Sequence, residues 1–250
     1  MTTAVPEVTI ADTVRWLHEE GLVRLAGVAE QASGIIAAYT VEVATGTVVA
    51  HPVTGSGGGS DVMTVAADDL PHPVGTPRRL VIVGVTTSEA LLVVDLAATL
   101  AISINADYPE EAARSWVLQL MLNSEINVTT NCADVVIGSS PRLRQSFIPG
   151  GGAQIVNVDD GRPPVTAVTL NAATEGPDHL DIEADGTGEM YLGARFWALR
   201  HVLRIEDEAW SALADRVAAD ADDSAGPPVG SVTAYSIRSQ SSQRLSEGKR

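Results

Sequence analysis

An α/β or α+β fold built on a mixed β-sheet is predicted for this chain of 250 residues by three features of its sequence. Short aliphatic, β-branched segments recur between turns rich in Gly, Asp and Ser. A helix-patterned stretch, Glu110 to Asn123, sits between two such segments, and further helical patterning opens and closes the core-forming region. With 45% of residues hydrophobic and 19% charged, the chain has enough apolar surface to bury a core and is not a wholly disordered polymer.

From Asp12 to Gln31 the residues Val14, Leu17, Leu25 and Val28 fall on one helical face. Gly21 and Gly27 weaken that helix, so one interrupted helix or two short ones are expected. Ile35 to Val43 and Val48 to Val53 flank Ala44-Thr45-Gly46-Thr47 and read as a hairpin, with Tyr39, Val41 and Val43 on a shared face. Gly55 to Ser60 has little side chain to bury and reads as a flexible loop. Leu80 to Val85 and Leu91 to Leu96 form a second predicted hairpin about Thr86-Thr87-Ser88-Glu89.

Leu100 to Ile104 reads as a strand leading into the helix at 110–123. Asp107 is its expected cap, Pro109 stands in its first turn, and Glu110 and Glu111 suit its positive end. Ala133 to Gly138 is predicted as the next strand, completing a strand, helix, strand unit with a parallel, right-handed crossover. Ala153 to Val158, Val165 to Leu170, Leu180 to Ile182 and Glu189 to Leu192 are further strands, the last two flanking Asp185 to Gly188. Ala198 to Ile205 is of mixed character, and Glu206 to Ala219 is a helix with Trp210, Leu213 and Val217 on one face. The expected organisation is a helix and hairpin subdomain over 1–70 containing the loop 55–60, an α/β domain over 71–220, and a disordered tail over 221–250.

Charge excludes several functions. Sixteen Lys and Arg face 32 Asp and Glu, a net charge of −16 that opposes gripping phosphate backbones or anionic lipids, so nucleic acid is not an expected partner. The end of the chain runs the other way: over 231–250, Arg238, Arg244, Lys249 and Arg250 against Glu247 give +3, leaving −19 on everything before it. The start lacks the basic and apolar regions of a signal peptide, and the densest apolar runs are broken by Gly84, Asp95, Thr99 and Ser103 before a membrane span accumulates. The lone Cys132 has no partner for an internal disulfide, and a cytoplasmic location is expected.

The segments Leu91 to Leu96, Ala101 to Asn105, Glu110 to Asn123, Ala133 to Gly138 and Leu203-Arg204-Ile205 with the acidic helix after it resemble a central region of actinobacterial multidomain proteins. Those proteins carry a bacterial transcriptional activator domain and, in some members, a LysM module. The resemblance spans roughly 12–220 and includes no LysM repeat, membrane segment or complete activator domain, so it implies a module and not the whole proteins' function. The same strand, turn, helix, strand order is also similar to the nucleotide-binding core of FtsK-type translocation ATPases. Such a core needs G-x-x-x-x-G-K-[ST] to cradle phosphate and place magnesium. Here the turn reads Asn105-Ala106-Asp107-Tyr108-Pro109-Glu110-Glu111, acidic and without Gly or Lys, and the sole lysine is Lys249. At most a degenerate nucleotide-binding fold is implied.

No residue set predicts a catalytic centre, a cofactor or a metal. His18, His51, His72, His179 and His201 are dispersed, and the nearest cluster, Asp178-His179-Asp181, is better explained as a polar turn. Asp159-Asp160 and Asp185 lie beside turn glycines, and Ser139-Ser140 does not form G-x-S-x-G. Cys132 reads as a buried thiol, while Arg142 and Arg144 lie where an open sheet could present an anion site, although a solvated loop is favoured. Arg195, Trp197 and Arg200 combine the residue types enriched at interfaces and are the candidate partner-binding residues, with a core-facing aromatic and solvated arginines as the competing reading. The expected function is a non-catalytic assembly or regulatory module that binds a protein partner or itself. The alternative is a metal- or carboxylate-dependent enzyme using Asp178 and Asp181.

Overall fold

A computed structural model describes residues 8–53, 62–76, 78–149, 152–172 and 176–224. The expected loop at 55–60 and most of the expected tail lie outside these residues. Helix α1 (Ile10–Trp16) begins in a capping box. Thr9 Oγ1 accepts from the Asp12 amide at 3.2 Å and the Asp12 carboxylate accepts from the Thr9 amide, also at 3.2 Å. The helix passes through a π-helical turn (Leu17–Gly21) into α2 (Leu22–Gln31), so the interruption falls at Gly21 while Gly27 is accommodated inside α2.

Thirteen strands follow among the described residues. They are β1 (Ile36–Glu42), β2 (Val48–Pro52), β3 (Met63–Val65), β4 (Leu80–Thr86), β5 (Ala90–Asp95), β6 (Ala101–Asn105), β7 (Asn127–Thr130), β8 (Leu143–Gln145), β9 (Gln154–Asp159), β10 (Thr166–Leu170), β11 (Asp178–Ile182), β12 (Gly188–Leu192) and β13 (Arg195–Val202). Helix α3 (Pro109–Met121) lies between β6 and β7, and α4 (Asp207–Ser224) follows β13. All strands join one sheet in the order β3-β2-β1-β5-β4-β13-β12-β11-β6-β10-β9-β7-β8. β6 runs parallel to both β10 and β11, and β7 to β8, while the remaining pairs are antiparallel.

The mixed α/β character agrees with the sequence, and several details differ. Ala133–Val135 is a short 3-10 turn, so the strand after α3 is β7. β7 is separated from β6 by β10 and β9. Tyr108 is the N-cap of α3 and no side chain caps it, so Asp107 does not serve there. The sheet also crosses the expected boundary at residue 70, because β1 pairs with β5 along Ala38 to Glu42. α4 runs past 220, to Ser224.

Two apolar clusters divide the sheet faces. Leu17, Leu22, Leu25 and Val28 of the N-terminal helices pack on Tyr39, Val41, Val48, Leu80, Ile82, Leu91 and Val93. On the other face, Trp116, Val117 and Leu120 of α3 share a cluster with residues from every strand except β2 and β3, including Val83, Leu92, Ile104, Val158, Leu180, Met190 and Leu199. One helix can share a core with that many strands only if the sheet curls around it. Register shifts at Ile82/Gly84 and Leu199/His201 supply local curvature. Gly84 is required at the β4–β13 crossing, since a Cβ there would stand 2.3 Å from the His201 carbonyl oxygen.

Polar links lock the curl. The Gln119 side chain of α3 accepts from the Ile82 amide at 2.7 Å and donates to the Ile82 carbonyl at 3.0 Å, satisfying both backbone groups of that residue on β4. Arg79, 1% exposed, donates to the Pro164 carbonyl (2.6 Å), Thr166 Oγ1 (3.1 Å), the Arg162 carbonyl (2.6 Å) and Asp160 Oδ1 (2.5 Å). It thereby ties the start of β4 to the turn before β10. Replacing Arg79 with Met removes the charge at similar length and leaves Asp160 and three other acceptors without their donor. We expect unfolding free energy to fall by about 3 kcal/mol, read from the denaturant midpoint. An unchanged midpoint would contradict this role.

Candidate functional site

Alternation along β11, β12 and β13 sends Leu180, Met190, Leu192 and Leu199 into the core around α3 and sends their neighbours to the opposite face. On that opposite face three rings stand in register: His179 faces Tyr191 across β11 and β12, and Tyr191 faces Phe196 across β12 and β13. The His179 and Tyr191 rings stack at 4.5 Å between centroids with 20° between planes, and Tyr191 and Phe196 lie 5.2 Å apart at 41°. One pleat away runs a second row, Asn105, Asp181, Glu189 and Ala198. The two rows are cross-linked. Tyr191 donates from its hydroxyl to Glu189 at 2.7 Å, Asn105 donates to Asp181 at 2.8 Å, and His179 Nε2 lies 3.6 Å from Asp181 Oδ2. Because the Gly176 carbonyl can only accept, its 2.8 Å bond fixes Nδ1 of His179 as the protonated nitrogen.

The N-terminal helices cover the same side of the sheet over β1 to β5, and α3 fills the inner face. Exposure along the ring row is uneven: the His179 side chain is 14% exposed, whereas Phe196 is 50% exposed, although it is a large apolar side chain in mid-sheet.

Beyond the C-terminal ends of β6 and β11, at the start of α3, lies a cavity of about 240 Å³ lined by Asp107, Tyr108, Glu111, Glu183, Arg204 and Glu206. It occupies the position where parallel sheets present ligands. Burial pushes the Glu111 carboxyl above its ordinary range, opposed by the Arg204 guanidinium 3.6 Å away and reinforced by Glu206, Asp207 and Glu110. Arg204 also stands 3.6 Å from Glu206. Four carboxylates around one guanidinium disfavour phosphate here, in keeping with the acidic turn noted in the sequence.

The three candidate partner residues do not share one surface. Arg195 donates from Nε to the Pro52 carbonyl at 3.0 Å. Trp197 packs against the α3 core and meets the His51 ring edge-on at 5.2 Å. Arg200 is exposed on the opposite face, where it pairs with Glu89 at 3.0 Å. Asp178 and Asp181 also diverge: Asp178 accepts from the Thr99 hydroxyl and, at 2.8 Å, from the Gly193 amide, while Asp181 joins the outer strip. Among the described residues no group of three or more His, Cys, Asp or Glu is placed to hold a metal.

Other singled-out residues have local structural roles. Asp160 receives Arg79, Asp159 accepts from the Gly161 amide, and Asp185 accepts from Thr187. Arg142 donates to the carbonyls of Met121, Asn123 and Ile126, closing the C-terminal end of α3, and Arg144 donates to Pro141. Ser140 Oγ accepts from the Arg142 amide, and Cys132 is wholly buried, which raises its thiol pKa. The ring row itself escapes sequence reading because Arg195 to Val202 does not read as a strand. A signal exists: Gly193-Ala194 separates two alternating segments, and Gly193 takes up a positive φ, as the first central residue of a tight hairpin does.

Comparison with family models, curated proteins and solved structures finds no match. No helix among the described residues is long and apolar enough to cross a membrane.

Phe196 and Trp197 are neighbours in sequence and opposite in environment. Trp197→Ala is expected to lower unfolding free energy by about 3 kcal/mol through the cavity it leaves. Phe196→Ala should change it by about 0.5 kcal/mol or less, as exposed sites do. Equal effects in chemical denaturation would refute this division.

A pH dependence follows from His51, which burial, assisted by the Arg195 charge, holds down at about 4. Its ordinary value is near 6.5, so between about 6.5 and 4 the unfolded chain binds a proton that the folded chain refuses. Stability should therefore be full above that window and decline as pH falls through it. Unfolding curves of His51→Gln, whose amide can keep a bond to Thr40, should show a shallower decline. An identical slope would exclude His51 as a source.

Proposed function

We propose that this chain is a non-catalytic protein-interaction module of an assembly or regulatory system, and that the open strip of β11 to β13 is its binding face. The observation that carries this reading is the in-register row His179, Tyr191 and Phe196 on the outer face of β11 to β13, which ends in the half-exposed ring of Phe196. Aromatic side chains held rigid on a sheet lose little conformational freedom on docking and dominate many interfaces. The relationship to the central region of actinobacterial multidomain proteins is part of the proposal and rests on the quoted segments alone. A degenerate nucleotide-binding ancestry is compatible with the order β6, α3, β7 and with the acidic turn at the expected phosphate position.

A photo-crosslinking residue at position 196 tests the binding face in the native cell, with position 122 as control because Leu122 is also exposed, at 74%. A discrete adduct to another protein at 196 and none at 122 is expected. Tyr191→Ala with Phe196→Ala should abolish co-purification of that partner while the melting curve stays close to that of the unaltered protein. Association that survives this double substitution would overturn the reading. Titration with ATP or GTP and magnesium should give no heat of binding; micromolar binding with turnover would restore a nucleotide enzyme.

A further inference from the structure

We propose that a second cavity, at the opposite end of β11 from the acidic one, binds a small aliphatic primary ammonium ion, with the Asp95 carboxylate as its counterion. The site does not depend on the reading of the outer strip. The cavity has a volume of about 200 Å³ and lies where β5 and β12 end and β11 begins. Its polar lining is Asp95, Thr99 and Asp178, while Val53, Ala98 and Leu192 supply aliphatic wall. Asp95 is 5% exposed, yet it forms no ion pair among the described residues and only half of its carboxylate is bonded. Oδ1 accepts from the Ala97 amide at 2.9 Å, capping the turn Leu96–Ala98, and Oδ2 accepts from no described residue. Oδ2 is not among the sealed polar atoms of the protein, so it meets open space, and this cavity is the space that Asp95 lines.

A buried carboxylate left in that state is costly. Burial pushes the Asp95 carboxyl above its ordinary range; the Ala97 amide and the charges of Arg78 and Arg79 oppose the rise, and Asp160 adds to it. Neither arginine pairs with Asp95: Arg79 is bonded to Asp160 and the residues after it, and Arg78 stands 3.7 Å from Glu30. Burial and then the Asp95 charge raise the wholly buried Tyr39 hydroxyl, yet that hydroxyl donates to nothing described. Asp178 adds a second negative charge to the cavity wall, its oxygens accepting from the Thr99 hydroxyl and the Gly193 amide while keeping lone pairs for another donor. No described lining residue is cationic. An ammonium group brings one positive charge and N–H donors on several sides, and an alkyl body suits the aliphatic wall. A hard metal ion fits less well, since it takes about six or more oxygen ligands and no group of three or more His, Cys, Asp or Glu converges among the described residues.

The test titrates the isotopically enriched full-length protein with n-butylammonium chloride and, separately, with n-butanol, its neutral counterpart, at constant ionic strength. The amides of Ala97 and Gly193, which donate to the two carboxylates, should shift with the ammonium along a saturable curve in the millimolar range and stay in place with the alcohol. Those of Glu111 and Glu183 at the acidic cavity should not move with either. Asp95→Asn, whose amide oxygen can keep the Ala97 bond, should weaken binding by about tenfold or more. Ala98→Leu, which fills the cavity and leaves both charges in place, should abolish binding. Melting curves establish that each variant is folded, and the comparison of the two compounds on the unaltered protein decides even where a variant is not. An equal response to butanol, a response unchanged by Asp95→Asn, the same shifts with magnesium chloride alone, shifts centred on Glu111 and Glu183, or no saturation would overturn the proposal. Nα-acetyl-lysine methylamide separates the two sources of such a group. Binding at least as tight as that of n-butylammonium assigns the site to a lysine side chain of another protein, and weaker binding assigns it to a free amine.

Discussion

The guanidinium of Arg79 holds the curl of the sheet. A buried cation is tolerated when its charge and most of its donors are matched, and here one carboxylate, two carbonyls and a hydroxyl from the 160–166 segment converge on the two terminal nitrogens, while Nε has no partner among the described residues. Thr166, the first residue of β10, is itself anchored by its hydroxyl, whose one proton is shared between the Leu96 carbonyl at 2.5 Å and the Thr99 carbonyl at 3.1 Å. The start of β4, the exit of β5 and the entry of β10 are thereby pinned at one point, although β4 and β10 are separated in the sheet by β13, β12, β11 and β6. A flat sheet could not bring them together.

Everything inside the curl follows from that closure. Among the described helices α3 is buried on the most sides, and its polar residues are spent on fixing it in place. Gln119 holds β4, while Arg114 binds the Asp134 carbonyl and Asp207 and lies over the Trp210 ring, 5.5 Å from its centroid. Those contacts seat α4 and leave the outside of the curl over β1 to β5 to α1 and α2. The character of the outer face of β11 to β13 is set by alternation: the aliphatic residues turned inward oblige neighbours to face out, and those neighbours are chiefly aromatic or acidic.

Mutual repulsion among carboxylates at the acidic end would destabilise the compact state if left unanswered. Arg204 answers part of it, standing between Glu111 and Glu206, and burial raises the Glu111 carboxyl.

Local pattern is sufficient where one face of a segment meets one partner. The hairpins β1–β2 and β4–β5, the interrupted N-terminal helix, α3 and the acidic start of α4 are all legible, because aliphatic spacing and turn chemistry act over a few residues. The 133–138 segment misleads because its apolar residues serve a turn packed beneath α3, and a short apolar run does not reveal which element buries it. Arg195 to Val202 is obscured because a core tryptophan and surface groups interleave there. By itself the sequence determined a mixed α/β chain with an acidic body, a basic end and no phosphate-binding lysine in its turn. Only the tertiary structure decided that Trp197 faces the core while Phe196 faces solvent, that Asp178 and Asp181 diverge, and that His179, Tyr191 and Phe196 form one row. Register between strands distant in sequence is fixed by long-range closure around α3 and Arg79, and no local window of residues carries that information.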